Sequence, residues 1–146
     1  VEPMPYSGIP DLKKGFDVVQ ASGCDNAMLI LDTWHWVRAD QSYDILTEEQ
    51  AKKVISIQIN DAYERPYAKT ILRDESMHDR LAPGTGAKDT AGFVKMIKEA
   101  GIDPKVVGVE VISDEILSRG LKEAAAHTYD NTVKVLKEAW PEILEA

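Results

Sequence analysis

Cysteine is almost absent from the 146-residue chain: Cys24 stands alone, so there is no intrachain disulfide and no cysteine-rich zinc centre. Such sparing use suits a reducing cytoplasm, and Cys24 itself reads as a structural thiol near a strand start. Basic residues are outnumbered, 17 Lys and Arg against 25 Asp and Glu. The net charge of -8 and the pI near 4.9 argue against nucleic acid or an anionic membrane as a partner. No apolar run approaches the roughly 20 residues of a membrane span. The opening "VEPMPYSG" has neither a charged n-region nor an apolar h-region, so no signal peptide is expected. The GxxxxGK[ST] spacing of a phosphate loop is missing as well.

What is present fits one ordinary α/β domain over residues 1–146, with 44% hydrophobic and 29% charged residues and no linker or low-complexity segment. Three apolar runs read as strands: Ala27 to Leu31, Val54 to Ile59 and Val106 to Ile112. Helical patterns separate them. Ile9 to Gly23 carries Leu12, Phe16 and Val19 at helical spacing and stops at a glycine. Thr47 to Lys53 opens with the capping-box pattern "TEEQ". Asp89 can cap Thr90 to Ala100, and Gly120 to Trp140 shows Leu121, Ala125, Thr128, Val135 and Leu136 on one face. Alternating strands and helices imply parallel βα units. The stretch Asn60 to Lys88 reads as one long irregular connection, and loops of that length are usually functional or disordered.

Each strand carries conspicuous polar residues at its end: Asp32, Gln58 with Asp61 beyond it, and Glu110. Glu2 stands where a preceding strand would finish. Parallel strands present their C-terminal ends on one side, so these oxygen-bearing groups can converge. Carboxylates brought together without a cation raise one another's pKa, whereas Mg²⁺ or Mn²⁺ accepts such ligands and keeps positions open. The alternative reading is hydrogen bonding within the strand layer, with Glu2 a solvated terminal residue. His35, three residues after Asp32 in "LILDTWHW", lies between Trp34 and Trp36, which read as packing. "HDRLAPGTGAKD" supplies His78 and Arg80 ahead of a Pro83-Gly84 turn. An arginine beside a metal site suits a carboxylate or a polarised hydroxyl.

The ordered set "VEPMP", "LILDTWHW", "IQINDA", "HDRLAPGTGAKD" and "VGVEVIS" resembles the C-terminal half of the xylose-isomerase-like TIM-barrel superfamily, over nearly the whole chain. The resemblance implies a (β/α)8 barrel of which this chain supplies strands five to eight. It also implies one divalent metal held by Glu2, Asp32, Gln58 and Glu110. His35, Arg80, His78 and Asp61 would then face the substrate. Two departures stand out. Gln58 replaces the commoner histidine, which keeps Mg²⁺ or Mn²⁺ and weakens Zn²⁺. A full barrel needs about 250 residues; the chain is therefore expected to be a fragment, or to pair with another half-barrel, with a homo-oligomer also possible.

The implied reaction is proton abstraction beside a carbonyl on a sugar, cyclic polyol or keto-acid substrate. Glu2, Glu110 and His35 are its candidate catalytic residues. An isomerase or epimerase working through an enediolate is the first expectation, with Glu2 and Glu110 as paired acid and base. A dehydratase of the 3-dehydroshikimate or inosose kind is the second, favoured by Gln58 and Arg80. A catalytically inactive metal-binding half-barrel is the third.

Overall fold

The computed structural model describes residues 1–44, 46–64 and 71–145. Its centre is a parallel three-stranded sheet in the order β1 (Leu29–Asp32), β2 (Val54–Ile59), β3 (Val106–Val109). Asp32 pairs with Gln58, and Gln58 with Gly108. Side chains two apart on a strand share a face. That register sets Asp32 beside Gln58 on one face, with Asn60 and Glu110 continuing the same rows past the strand ends. On the far side of β1 the chain start runs alongside: the Val1 amine donates to the Met28 carbonyl at 2.7 Å, and Ile30 N–H donates to the Val1 carbonyl at 2.9 Å. Glu2 is thereby brought to the end of β1.

Among the described residues seven helices cover the sheet: α1 (Leu12–Ala21), α2 (Thr33–Arg38), α3 (Glu48–Ala51), α4 (Leu72–His78), α5 (Thr90–Glu99), α6 (Asp114–Ser118) and α7 (Leu121–Ala139), with a closing 3-10 turn at Pro141–Leu144. Their starts are chemically marked. Asp11 accepts from Lys14 N–H, Asp89 from Gly92 N–H, and Thr47 forms a full capping box with Gln50. Leu29, Leu31, Ile57, Ile59, Phe93, Val94, Ile97, Val135 and Leu136 make the core between sheet and helices. Trp36 packs on it edge-on to Phe93, 5.8 Å between centroids. Cys24 is exposed in the turn before β1 rather than packed against it.

Several sequence expectations need correction. The third strand ends at Val109 instead of Ile112, because the carbonyls of Glu110 and Ile112 accept from Asn60, Arg80 and the Arg80 backbone rather than from a strand. The connection Asn60 to Lys88 is not wholly irregular: α4 lies inside it, while residues 65–70 fall outside the described part. Leu121, expected on the buried face of the last helix, is 78% exposed. It borders an apolar groove with Val109, Leu117, Ala124 and Ala125. Val106 and Leu117 are exposed as well, and among the described residues β3 has a strand neighbour on one side only. No helix among the described residues is long and apolar enough to cross a membrane.

Two buried polar knots fix the segments after β1 and β2. Glu75 of α4, fully buried, receives Arg38 Nε at 2.9 Å and Trp34 Nε1 at 3.3 Å, which ties α4 to α2. Asp61, also fully buried, accepts from the backbone N–H groups of Ala62, Gly86 and Lys88 and so holds the Pro83–Gly86 turn. The turn is close enough that a Cβ on Gly86 would lie 2.5 Å from both the Ala62 carbonyl oxygen and Asp61 Oδ1. Gly86→Ala is therefore expected to cost about 1–3 kcal/mol through overpacking, read as a lower denaturation midpoint in urea; an unchanged midpoint would mean that the turn relaxes freely.

Candidate metal centre

Beyond the ends of β1 and β2, Glu2, Asp32 and Glu110 each offer a carboxylate oxygen, and these oxygens lie within 4.8 Å of one another. Local folding explains the convergence. The run LILD stays in the sheet until Asp32, whose Oδ1 then accepts from His35 N–H at 2.9 Å and caps α2. That cap turns the His35 side chain back over the strand ends. Asp32 Oδ2 receives Asn60 Nδ2 at 2.6 Å and Arg80 Nη1 at 3.1 Å; the same Nη1 reaches Glu110 Oε2 at 2.9 Å. His35 Nε2 lies 3.5 Å from Glu2 Oε1 and 3.4 Å from Arg80 Nη2.

Charge crowding is visible in the protonation equilibria. Burial, then the neighbouring Asp32 and Glu110 charges, pushes Glu2 up to about 7. Burial raises Asp32 to about 6 in spite of Arg80 and the His35 N–H. Burial, reinforced by the Arg80 charge, lowers His35 to about 3, so its imidazole is neutral at physiological pH. Glu2 Oε1 and Gln58 Oε1 are buried acceptors with no hydrogen-bond partner. Unpartnered buried oxygens beside three crowded carboxylates suit a hard divalent cation, which takes oxygen donors and offsets their repulsion. Glu2, Asp32, Gln58 and Glu110 are the residues present to hold one.

Of the residues singled out from sequence, Glu2, Asp32, His35, Arg80 and Glu110 are brought together. Gln58 stands next to Asp32 in register. Asp61 and His78 are not in the cluster. Both Asp61 oxygens are taken up by the turn, and His78 pairs at the surface with Asp114 at 3.0 Å, with more than half its side chain exposed. Sequence reasoning missed Asn60, Ser76 and Tyr6. Asn60 is fully buried and orients Asp32. Ser76 accepts from Arg80 Nη2 through its hydroxyl and from Nε through its carbonyl, both at 2.8 Å. Tyr6 stacks edge-on to His35, 5.7 Å between centroids, and its hydroxyl lies 3.2 Å from Ser76 Oγ. The only sequence signal for Asn60 was its place one residue past an apolar strand; Tyr6 and Ser76 carried none.

Known proteins resemble this chain over nearly its whole length. A family profile described as xylose isomerase-like TIM barrel matches residues 1–139. Inosose isomerases of Bacillus licheniformis and Bacillus subtilis are each 28% identical over 134 residues, which is 92% of this chain and 46% of theirs. The chain spans about half the length of the curated relatives it matches. Among solved structures, the IolI protein with a bound zinc atom superposes with a TM-score of 0.78 at 24% identity, covering 95% of this chain and 49% of that one. L-ribulose 3-epimerase superposes with a TM-score of 0.64 at 19% identity, covering all of this chain and 50% of that one. At these identities the superpositions establish the fold.

The raised carboxyls give a pH signature for the metal-free protein. Glu2 and Asp32 hold protons more tightly folded than unfolded, so their contribution to stability is greatest below about pH 4 and is lost as pH rises to about 7. With chelator present, the melting temperature is expected to fall between about pH 5 and about pH 8; a rise over that interval would contradict the crowding.

Proposed function

The chain belongs to the xylose isomerase-like TIM-barrel family, and from that premise we propose that it carries the active-site half of a divalent-metal-dependent isomerase or epimerase acting on a sugar or cyclic polyol ketone. The observation that carries this reading is the set of three carboxylates within 4.8 Å at the C-terminal end of parallel strands, the face on which barrels of this kind do chemistry. Mn²⁺ or Mg²⁺ fits the oxygen-only donor set, and when bound it supplies polarisation of a substrate carbonyl and stabilises negative charge on that oxygen. The names of the inosose isomerases and of L-ribulose 3-epimerase support the substrate class.

The chain's own residues account for the proton movements. Glu2 and Glu110 stand on opposite flanks of Asp32, one at the chain start beside β1 and the other past β3. A substrate lying between them can lose the proton next to its carbonyl to one carboxylate and regain a proton from the other. His35, neutral and 3% exposed, offers its ring nitrogen to a substrate hydroxyl without adding a charge. Trp34 and Tyr6 pack around His35 and fix its ring.

A lyase reading draws on Arg80 as a clamp for a substrate carboxylate. The curated relatives bear the name inosose isomerase, so the isomerase reading has the stronger support. The exposed apolar edge along β3 and the start of α7 supports a further part of the proposal: the remaining strands of the barrel, from the same longer chain or another, cover it and complete the substrate pocket.

Turnover of the completed barrel, with the remaining strands present, decides the reading. With Mn²⁺, interconversion of ketohexoses or inososes is expected, abolished by EDTA and reduced about a hundred- to ten-thousand-fold in kcat by Glu2→Gln or Glu110→Gln. Metal-dependent loss of water from 3-dehydroshikimate, with no sugar interconversion, would overturn it in favour of a lyase.

A further inference from the structure

Arg80 is a long, permanently charged side chain that is 2% exposed, and its guanidinium is divided between two sets of contacts. One edge is anchored on protein that takes no part in the carboxylate cluster: Nε on the Ser76 carbonyl and Nη2 on the Ser76 hydroxyl, with the group lying 5.6 Å over the Trp34 ring. The other edge, Nη1, is spent on the cluster itself, at Asp32 Oδ2 and Glu110 Oε2.

We propose that Arg80 is a built-in counter-cation that competes with the divalent metal for Asp32 and Glu110, and that loading of the metal releases Nη1 to bind a substrate oxygen. The proposal rests on the metal reading given above. Two carboxylates facing a third at this spacing need positive charge, and in the metal-free protein Nη1 provides it. Asp32 Oδ2 already takes two donors, Asn60 Nδ2 and Arg80 Nη1, so a divalent cation ligating that oxygen has to displace one of them. The metal, with the larger charge and direct ligation, displaces Nη1. The Ser76 edge involves no ligand residue, so the guanidinium stays anchored there while its free N–H group turns towards the substrate. Substrate binding through Arg80 then follows metal binding.

The test is calorimetric titration of the purified protein with Mn²⁺, comparing wild type with Arg80→Met, together with melting of both after chelation. Competition is expected to make Arg80→Met bind Mn²⁺ roughly tenfold more tightly, within the usual range of coupling between sites, while its metal-free form melts lower. Equal or weaker binding by Arg80→Met would overturn the proposal, since an arginine that only braces the ligands leaves a poorer site when removed. Should Arg80→Met fail to fold, crystal structures of the wild type with and without Mn²⁺ decide: loss of the two Nη1 contacts to carboxylate oxygens in the loaded form is expected, and their persistence overturns the idea. Absence of Mn²⁺ binding by the folded wild type would overturn the metal reading itself.

Discussion

Three carboxylates whose oxygens lie within 4.8 Å of one another, one of them fully buried and two partly buried, are the constraint on which the rest of the structure depends. Such a group is unfavourable unless something positive sits among it. The protein meets that requirement in three partial ways at once. Arg80 donates to two of the three, Asn60 and the N-terminus of α2 donate to Asp32, and Glu2 and Asp32 are shifted so that they are readily protonated. None of these satisfies Glu2 Oε1 or Gln58 Oε1. The unfinished state of the cluster is what points to a cation from outside.

The packing around the cluster serves to keep those groups from spreading apart. Trp34 is the link. It lies fully buried between Arg80 and Arg38, 5.6 and 5.8 Å from their guanidinium carbons, and its indole N–H reaches Glu75. Glu75 in turn carries Arg38, so α2 and α4 are locked together through buried polar contacts. Ser76, next in sequence, holds Arg80. The charge of Arg80 is thus set in place by the helix that also buries Glu75, and α4 acts as the backing of the site.

Elements with a strong local signal were legible in the sequence. Val54–Ile59 forms the strand its continuous apolar run predicts, Thr47 and Gln50 make the capping box their spacing predicts, and Asp89 caps α5. The helices α2 and α4 were not legible. "TWHWVR" is rich in residues that favour strands and carries no apolar stripe; it is helical because Asp32 caps it and both tryptophans find burial on different sides. "LRDESMH" is polar, and its helix rests on Glu75 finding Arg38 and Trp34, partners 37 and 41 residues away. For the site, Asp32, Glu110 and Glu2 could be found because each is a polar residue at or beside the end of a strand-like segment. Asp61 fitted the same rule and bonds the turn instead, since a carboxylate one residue past Asn60 faces the opposite way. Tyr6 and Ser76 gain their places only through packing against His35 and Arg80.

The proposed chemistry requires the carboxylate cluster to be a cation site. Titration of the purified protein with Mn²⁺, followed by the loss of the free-ion paramagnetic resonance signal, tests that most directly. One tightly held ion per chain in the wild type, and none in Asp32→Asn at the same concentrations, is the predicted result. Retention of the ion by a folded Asp32→Asn variant, or no uptake by the wild type, would contradict it.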